Sequence, residues 1–387
     1  MYREWLEMCM HCGACHARGP IVPHNWKTLP PPELCSPIKK CPSYEYYKFK
    51  TYTGQGRLVL AADTFKNNAE ISEDLVNIAY SCTSCGICNE VCPTHSPLNV
   101  IWALREEINE RGGPQPAPLK RIYKNMKDRH NIFGLEKRSR SLPVLPVQGE
   151  DVYFTGCYTS YLLPKSAHAT VEVLKAGGIN VAHLGEAEQC CGEMARQGGN
   201  RKLFKEMASR NVEAMKAAGA KRIIVSCAHC YRTWHTDYPS VLGNLPFEVV
   251  HIADLISGLV KEGKIAFDRK VYKKVTYHDP CFLRGLQDAP RNILKSIPGL
   301  ELQEMERYGR WSYCCGGGAK IALNCYPDFS AAIGKERIKE ASDVADNVVT
   351  SCPVCFNQLR YAALTEGVEI AVNDLVVLVA EAMGINL

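Results

Sequence analysis

Ten of the chain's 20 cysteines fall into two copies of one pattern. The first copy runs Cys157, Cys190-Cys191-Gly192, Cys227-x-x-Cys230; the second runs Cys281, Cys314-Cys315-Gly316, Cys352-x-x-Cys355. From the lone cysteine to the pair is 33 positions in both copies, and from the pair to the closing Cys-x-x-Cys is 36 positions in one and 37 in the other. A spacing repeated so closely predicts two related halves, each building its own soft-metal site.

Compartment decides what thiols mean, because disulfides persist in secreted proteins while cytosolic thiols stay reduced for metals or catalysis. Met1-Tyr2-Arg3-Glu4-Trp5 has no apolar h-region and leads straight into cysteines, so no signal peptide is expected. The longest apolar stretch, Ile370 to Ile385, is interrupted by Asn373, Asp374 and Glu381, too polar for the roughly 20-residue helix that crosses a bilayer. The expectation is a cytoplasmic chain whose thiolates hold metal. An apolar content of 46% with 22% charged residues is that of a globular protein, and a net charge of +5 with interleaved signs gives no reason to expect nucleic acid.

Three zones divide the 387 residues. Residues 1–110 carry nine cysteines and are expected to form one domain. Residues 111–150 read as a basic linker: Gly112-Gly113-Pro114-Gln115-Pro116-Ala117-Pro118 cannot continue a helix, and eight Lys or Arg face two acids between Lys120 and Arg140, as a solvated helix face or a strip for an acidic partner. The repeated halves follow as domains at 151–265 and 266–387. In them β-rich runs at 151–154, 222–225, 247–252, 274–277, 301–305 and 347–350 alternate with helical patterns such as Ala253 to Lys261, which predicts an α/β fold with mainly parallel sheets. Ligands of such sheets sit beyond the carboxyl ends of the strands, where these cysteines fall. Each Cys-x-x-Cys is expected to open a helix whose N-terminal dipole favours thiolate.

Cys82-x-x-Cys85-x-x-Cys88-x-x-x-Cys92-Pro93 matches the run that holds cubane 4Fe-4S clusters in bacterial ferredoxins, whose fourth cysteine ligates the other cluster. Cys9-x-x-Cys12-x-x-Cys15 supplies the second run, but its fourth ligand lies beyond an insertion, at Cys35 or Cys41. Cys41 is preferred because Pro42 follows it as Pro93 follows Cys92. The expected wiring is Cys9, Cys12, Cys15 and Cys92 on one cubane, with Cys82, Cys85, Cys88 and Cys41 on the other. A zinc scaffold is the competing reading, but zinc closes with four ligands. Five thiols per repeat exceed what one zinc or one cubane takes, and adjacent cysteines suit a cluster whose irons are spread apart. Cys35 and Cys325 remain as buried hydrophobes. His229, His235 and His278 lie beside the cysteines in sequence, as proton donors to a leaving thiolate or as hydrogen-bonding walls of the site. Lys320 stands as an attractor for an anionic substrate or as a solvated surface residue.

Thr155-Gly156-Cys157, Cys190-Cys191-Gly192, Ser226-Cys227-Ala228-His229-Cys230, His278-Asp279-Pro280-Cys281, Cys314-Cys315-Gly316-Gly317-Gly318 and Ser351-Cys352-Pro353-Val354-Cys355 resemble the CCG motifs of heterodisulfide reductase subunits. That cysteine-rich family also embraces iron-sulfur subunits of glycolate, lactate and anaerobic glycerol-3-phosphate oxidoreductases. Cys41-Pro42-Ser43-Tyr44 and Gly54-Gln55-Gly56-Arg57-Leu58 extend the likeness into the N-terminal zone. The resemblance implies two tandem CCG-type α/β repeats preceded by an α-helical two-cluster ferredoxin domain. It also implies two non-cubane 4Fe-4S clusters, each held by one cysteine quintet, between which a disulfide is opened. Cys191, Cys315, His229 and His278 are then the candidate catalytic residues. The alternative is an electron-transfer subunit without a substrate of its own. Gly54-Gln55-Gly56 lacks the third glycine of a dinucleotide fingerprint, so a flavoprotein or further iron-sulfur subunits of an anaerobic redox complex are the expected partners under either reading.

Overall fold

The structure, a computed structural model, describes Leu6, Cys9 and residues 41–92, 94–136 and 142–387. It divides into two compact units. The first comprises the described residues up to Lys120 together with Met194–Arg201 and Gly316–Gly334; the second comprises the rest.

The first unit is helical: α1 (Pro42–Tyr47), α2 (Gly54–Lys66), α3 (Glu73–Tyr80), α4 (Ile87–Val91) and α5 (Pro97–Glu110). Side-chain caps set the starts of two of them. Thr53 accepts from the Gly56 amide, and Ser72 accepts from the Leu75 amide with Glu73 and Asp74 in the first turn, satisfying amides that have no partner within the helix. Gly56 is required by space, since a Cβ there would lie 2.4 Å from the Lys50 carbonyl oxygen. Trp102, Leu104 and Ile108 of α5 are fully buried. Helix α6 (Ala117–Arg129) follows the proline-rich run, burying Leu119, Ile122 and Met126 and exposing Lys120, Arg121, Lys124 and Lys127.

The second unit holds both α/β repeats. In the first, β1 (Asp151–Phe154), α7 (Cys157–Leu162), α8 (Pro164–Ala176), α9 (Arg201–Ala217), β2 (Arg222–Val225), α10 (Ala228–Arg232), β3 (Glu248–His251) and α11 (Ile252–Lys261) build a parallel sheet ordered β1-β2-β3. In the second, β4 (Lys273–Tyr277), β5 (Leu300–Leu302), β6 (Asn347–Thr350), α12 (Pro353–Glu366), β7 (Ala371–Asp374) and α13 (Leu375–Ala382) give a parallel sheet ordered β5-β4-β6-β7. Phe154 pairs with Val225 in one sheet and Tyr277 with Val349 in the other, so the central strands of each repeat end level. The missing fourth strand of the first repeat survives as a single bridge, Val152 with Ala182.

Tyr153, Ile224, Val275, Tyr277 and Val349 join the helices α11 and α13 in one hydrophobic core. Parallel sheets are covered on both faces, and the strands are accordingly short β-branched and aromatic runs without alternation. On α11, Ile252, Ala253, Ile256 and Leu259 face this core; each large aliphatic chain buried there contributes about 1.5–3 kcal/mol. Most predicted strands hold to within a residue. The run at 301–305 is the exception, forming only Leu300–Leu302, and β7 lies in the apolar stretch that sequence reading considered only as a membrane span.

Candidate functional site

The central strands of both repeats end in cysteine loops. β1 leads through Thr155-Gly156 to Cys157 at the start of α7, β2 through Ser226 to Cys227, β4 through His278-Asp279-Pro280 to Cys281, and β6 through Ser351 to Cys352. Cys227 and Cys352 are N-caps of α10 and α12, as the spacing predicted. Each repeat fixes the loop with the same bond: Tyr153 Oη lies 2.9 Å from Ser226 Oγ, and Tyr277 Oη lies 2.5 Å from Ser351 Oγ. Sequence reading missed these tyrosines because each sits in an apolar strand where an aromatic residue reads as core.

All ten thiols of the repeats gather, nine of them buried and Cys281 partly so, and none is in a disulfide. Cys157 Sγ lies 3.9 Å from Cys190 Sγ, and Cys315 Sγ 3.4 Å from Cys355 Sγ, far beyond the roughly 2.05 Å of a disulfide. Cys190 also faces Cys191, Cys230 faces Cys191 and Cys227, and Cys281 faces Cys314. The two quintets meet where Cys352 faces both Cys227 and Cys355. Hydrogen bonding among the thiols, then burial, holds Cys190, Cys230, Cys281 and Cys355 well above the usual thiol pKa. Burial also pushes Cys352 up, but bonds from Cys227 and Cys355 outweigh it and leave this one thiol well below its usual value. Without cations the four raised thiols keep their protons. A crowd of buried sulfur donors, grouped with no carboxylate among the described residues, suits soft iron-sulfur cores, whose binding displaces thiol protons.

The two histidines of the predicted site reach the sulfurs, and in different ways. His229 presents a ring nitrogen within 4.8 Å of Cys227 and Cys352 at the meeting point of the quintets, and packs edge-on to Phe282 with ring centroids 5.2 Å apart. His278 presents one within 4.8 Å of Cys315 and Cys355. Arg337 Nε donates to His278 Nδ1 at 3.0 Å, so the ring proton resides on Nε2, which is buried and has no hydrogen-bond partner among the described residues. Burial, reinforced by Arg337, pushes His278 down to about 3, which keeps the ring neutral. His278 thereby carries a neutral N–H in a ring that lies beside the second quintet. His235 is not brought to the thiols: it is exposed and stacks on Tyr231.

Around the first quintet the supporting hydrogen bonds are tight. Glu188 accepts from the amides of Thr155 (3.0 Å) and Gly156 (2.9 Å). A π-helical turn, Thr233–Asp237, extends α10 and is followed by Tyr238, whose hydroxyl donates to the Cys191 carbonyl at 2.8 Å and accepts from Asn211, which also donates to the Cys190 carbonyl. In the second repeat Asp279 is held bidentately by Arg291 (2.7 and 2.9 Å) and accepts from the Gly309 amide.

In the helical unit, Cys82 and Cys85 lie on the loop before α4, Cys88 on α4 itself and Cys92 at its C-cap. The Ser84 amide donates to Cys82 Sγ at 3.4 Å, and Cys92 Sγ lies 3.6 Å from both Thr94 Oγ1 and His95 Nδ1. Burial pushes the Cys41 thiol up to about 12, against the pull of Arg57, and Cys85 and Cys82 add to the rise; Cys41 therefore shares their field. Cys9 is described; Cys12, Cys15 and Cys35 lie outside the described residues. Cys325 is partly buried and its thiol is raised to about 11 by burial. Lys320 corrects the reading of a solvated surface residue: it is 3% exposed, with Ala319 and Lys320 in left-handed conformations after the glycine run.

The 4Fe-4S dicluster domain family matches residues 5–96, and the family described as Cysteine-rich domain matches residues 152–234 and 275–360. A dihydromethanophenazine:CoB--CoM heterodisulfide reductase subunit from Methanosarcina mazei is 34% identical over 395 residues, covering 98% of this chain and 95% of that protein. The EtfAB:quinone oxidoreductase of Syntrophomonas wolfei is 30% identical over 72% of this chain and 43% of its own length. A fumarate reductase (CoM/CoB) subunit from Methanothermobacter marburgensis is 29% identical over 94% of this chain and 69% of its own length. No helix among the described residues is long and apolar enough to cross a membrane. From the dicluster domain, the paired cysteine-rich domains and the similarity along nearly the whole length of the Methanosarcina protein, the chain belongs to the ferredoxin-fused, cysteine-rich family of heterodisulfide reductase subunits and is an iron-sulfur oxidoreductase subunit of that kind.

Proposed function

We propose that this chain passes electrons from two cubane clusters to two non-cubane clusters and there reduces a disulfide or similar acceptor. Domains at 1–110, 151–265 and 266–387 would divide the work. The cubane ligands are Cys9, Cys12, Cys15 and Cys92 for one cluster and Cys41, Cys82, Cys85 and Cys88 for the other. The non-cubane ligands are the quintets Cys157, Cys190, Cys191, Cys227, Cys230 and Cys281, Cys314, Cys315, Cys352, Cys355. The clusters supply one-electron steps, and a disulfide takes two electrons and two protons to become two thiols.

The observation that carries this reading is the contact of the two quintets at Cys227 and Cys352. An acceptor that must be split in two is best served by two redox centres side by side. His278 beside Cys315 and Cys355 holds its neutral N–H toward sulfur, and His229 lines the junction with a ring nitrogen near Cys227 and Cys352, both orienting the ligands. Of the two roles considered for His278, its neutral ring favours the hydrogen-bonding wall.

A second reading is favoured by the match to EtfAB:quinone oxidoreductase, where the matching region is part of a longer protein. In that reading the chain relays electrons between a flavoprotein and another subunit. Reduced viologen and a small heterodisulfide, given anaerobically to the isolated chain, separate the two. Turnover that disappears in Cys191→Ala is the expected result. No turnover by protein with full iron content would replace the reductase by the relay.

A further inference from the structure

Two arginines lie wholly inside the helical unit, and neither meets an acid among the described residues. Arg57, 1% exposed, donates from Nε to the Ile78 carbonyl and from Nη2 to the Ser81 carbonyl, both at 2.8 Å, and from Nη1 to the Tyr52 carbonyl. Arg105, 0% exposed, donates from Nε to Ala79 O (2.9 Å), from Nη1 to Gln197 O (2.9 Å) and Ser84 Oγ (3.3 Å), and from Nη2 to Cys82 O (3.2 Å). The Arg105 guanidinium also sits over the Tyr80 ring, 5.1 Å from its centroid. Every one of these bonds ends on a neutral oxygen, so the hydrogen bonds are satisfied while the charges are not.

A buried cation without an anion is among the least favourable arrangements a fold can contain, and it persists where something else supplies the opposite charge. Both guanidiniums grip one turn, residues 78–84, which opens directly into Cys82-x-x-Cys85-x-x-Cys88. Arg57 also acts on the Cys41 thiol and Arg105 on the Cys82 thiol. Four thiolates outweigh the positive charge of the iron-sulfur core they hold, so a cluster on these residues is a net anion, and more so once reduced.

We infer that Arg57 and Arg105 are the counter-charge of the cluster ligated by Cys41, Cys82, Cys85 and Cys88, and that they raise its reduction potential so that incoming electrons settle there. The inference rests on the cluster assignment proposed above. Charge near a cluster and its burial are two of the levers that spread the potentials of iron-sulfur centres over about a volt. A purely architectural role, clamping carbonyls with a planar fork, is the competing explanation.

Lysine and glutamine tell these apart, since lysine keeps the charge but loses the fork, while glutamine loses the charge. The experiment is an EPR-monitored redox titration of the anaerobic full chain, with iron determination, for wild type, Arg105→Gln and Arg105→Lys. Arg105→Gln is expected either to lose this cluster's iron or to hold it with a reduced-to-oxidised ratio at least tenfold lower at a given potential, about 59 mV for one electron. Arg105→Lys is expected to keep both iron and midpoint. A glutamine variant with wild-type iron and midpoint, or a lysine variant no better than glutamine, overturns the inference. Failure of the cluster assignment itself would appear separately, as wild-type protein with fewer than two cubane signals.

Discussion

Gly156→Ala tests how tightly the first quintet is built. Gly156 has φ 73° and ψ 162°, a region open essentially to glycine alone, and forcing alanine into it costs about 1–3 kcal/mol. The new Cβ would also stand 3.1 Å from Cys230 Sγ, tighter than an ordinary van der Waals contact, so either the sulfur or the loop must give way. Moving the loop strains the bonds from the Thr155 and Gly156 amides to Glu188, and hydrogen bonds to a charged group are worth about 1.5–3 kcal/mol each. Backbone strain together with the loss of one of these bonds comes to roughly 2.5–6 kcal/mol, mostly below the roughly 5–15 kcal/mol stability of ordinary domains, so the fold is expected to survive. The ligand geometry is not, because Cys157 follows the substituted residue and the Cys230 sulfur is the atom struck. Anaerobically purified variant protein should show wild-type far-ultraviolet circular dichroism and about a quarter less iron, with the lost spectral component belonging to one non-cubane cluster. Full iron with unchanged spectra would refute the reasoning.

Other substitutions probe the rest of the site. His278→Phe replaces the ring that offers its N–H to the second quintet with an apolar one; it should retain iron but shift the midpoint of one non-cubane cluster by about 59 mV, a tenfold change, and an unshifted titration would remove the proposed N–H contact. Tyr238→Phe removes one donor from the Cys191 carbonyl and one of the two acceptors of Asn211, and should lower the urea stability of the anaerobic protein by about 1–3 kcal/mol. Stripping iron and admitting air should join Cys315 to Cys355, whose sulfurs lie 3.4 Å apart, detectable by peptide mass spectrometry; free thiols at both would show that their approach is not retained in solution.

The fold was legible where chemistry repeats. Two sets of equally spaced cysteines announced two equivalent units, and the strands before Cys157, Cys227, Cys281 and Cys352 were bounded within a residue because β-branched runs end abruptly at the loops. Strand β5 was overextended since Gln303 to Met305 continues its apparent pattern after pairing has stopped. What the sequence hid is burial of charge. Arg105 lies in Leu-Arg-Glu-Glu, a helical context that normally faces water, and Lys320 follows a glycine run that normally marks a surface turn; only the three-dimensional arrangement turns both inward. Arg337 escaped notice for the same reason, and with it the tautomer of His278. The inequality of the two histidines, one at the junction and one beside the second quintet alone, follows from loop geometry that spacing does not encode.

The central claim is that each quintet grips one extended iron-sulfur cluster. An iron-edge anomalous diffraction map from crystals grown without oxygen tests it most directly. The account predicts several resolved irons in each pocket, within bonding reach of all five sulfurs of that repeat. A single metal peak per pocket, or iron confined to the N-terminal cysteines, would contradict it.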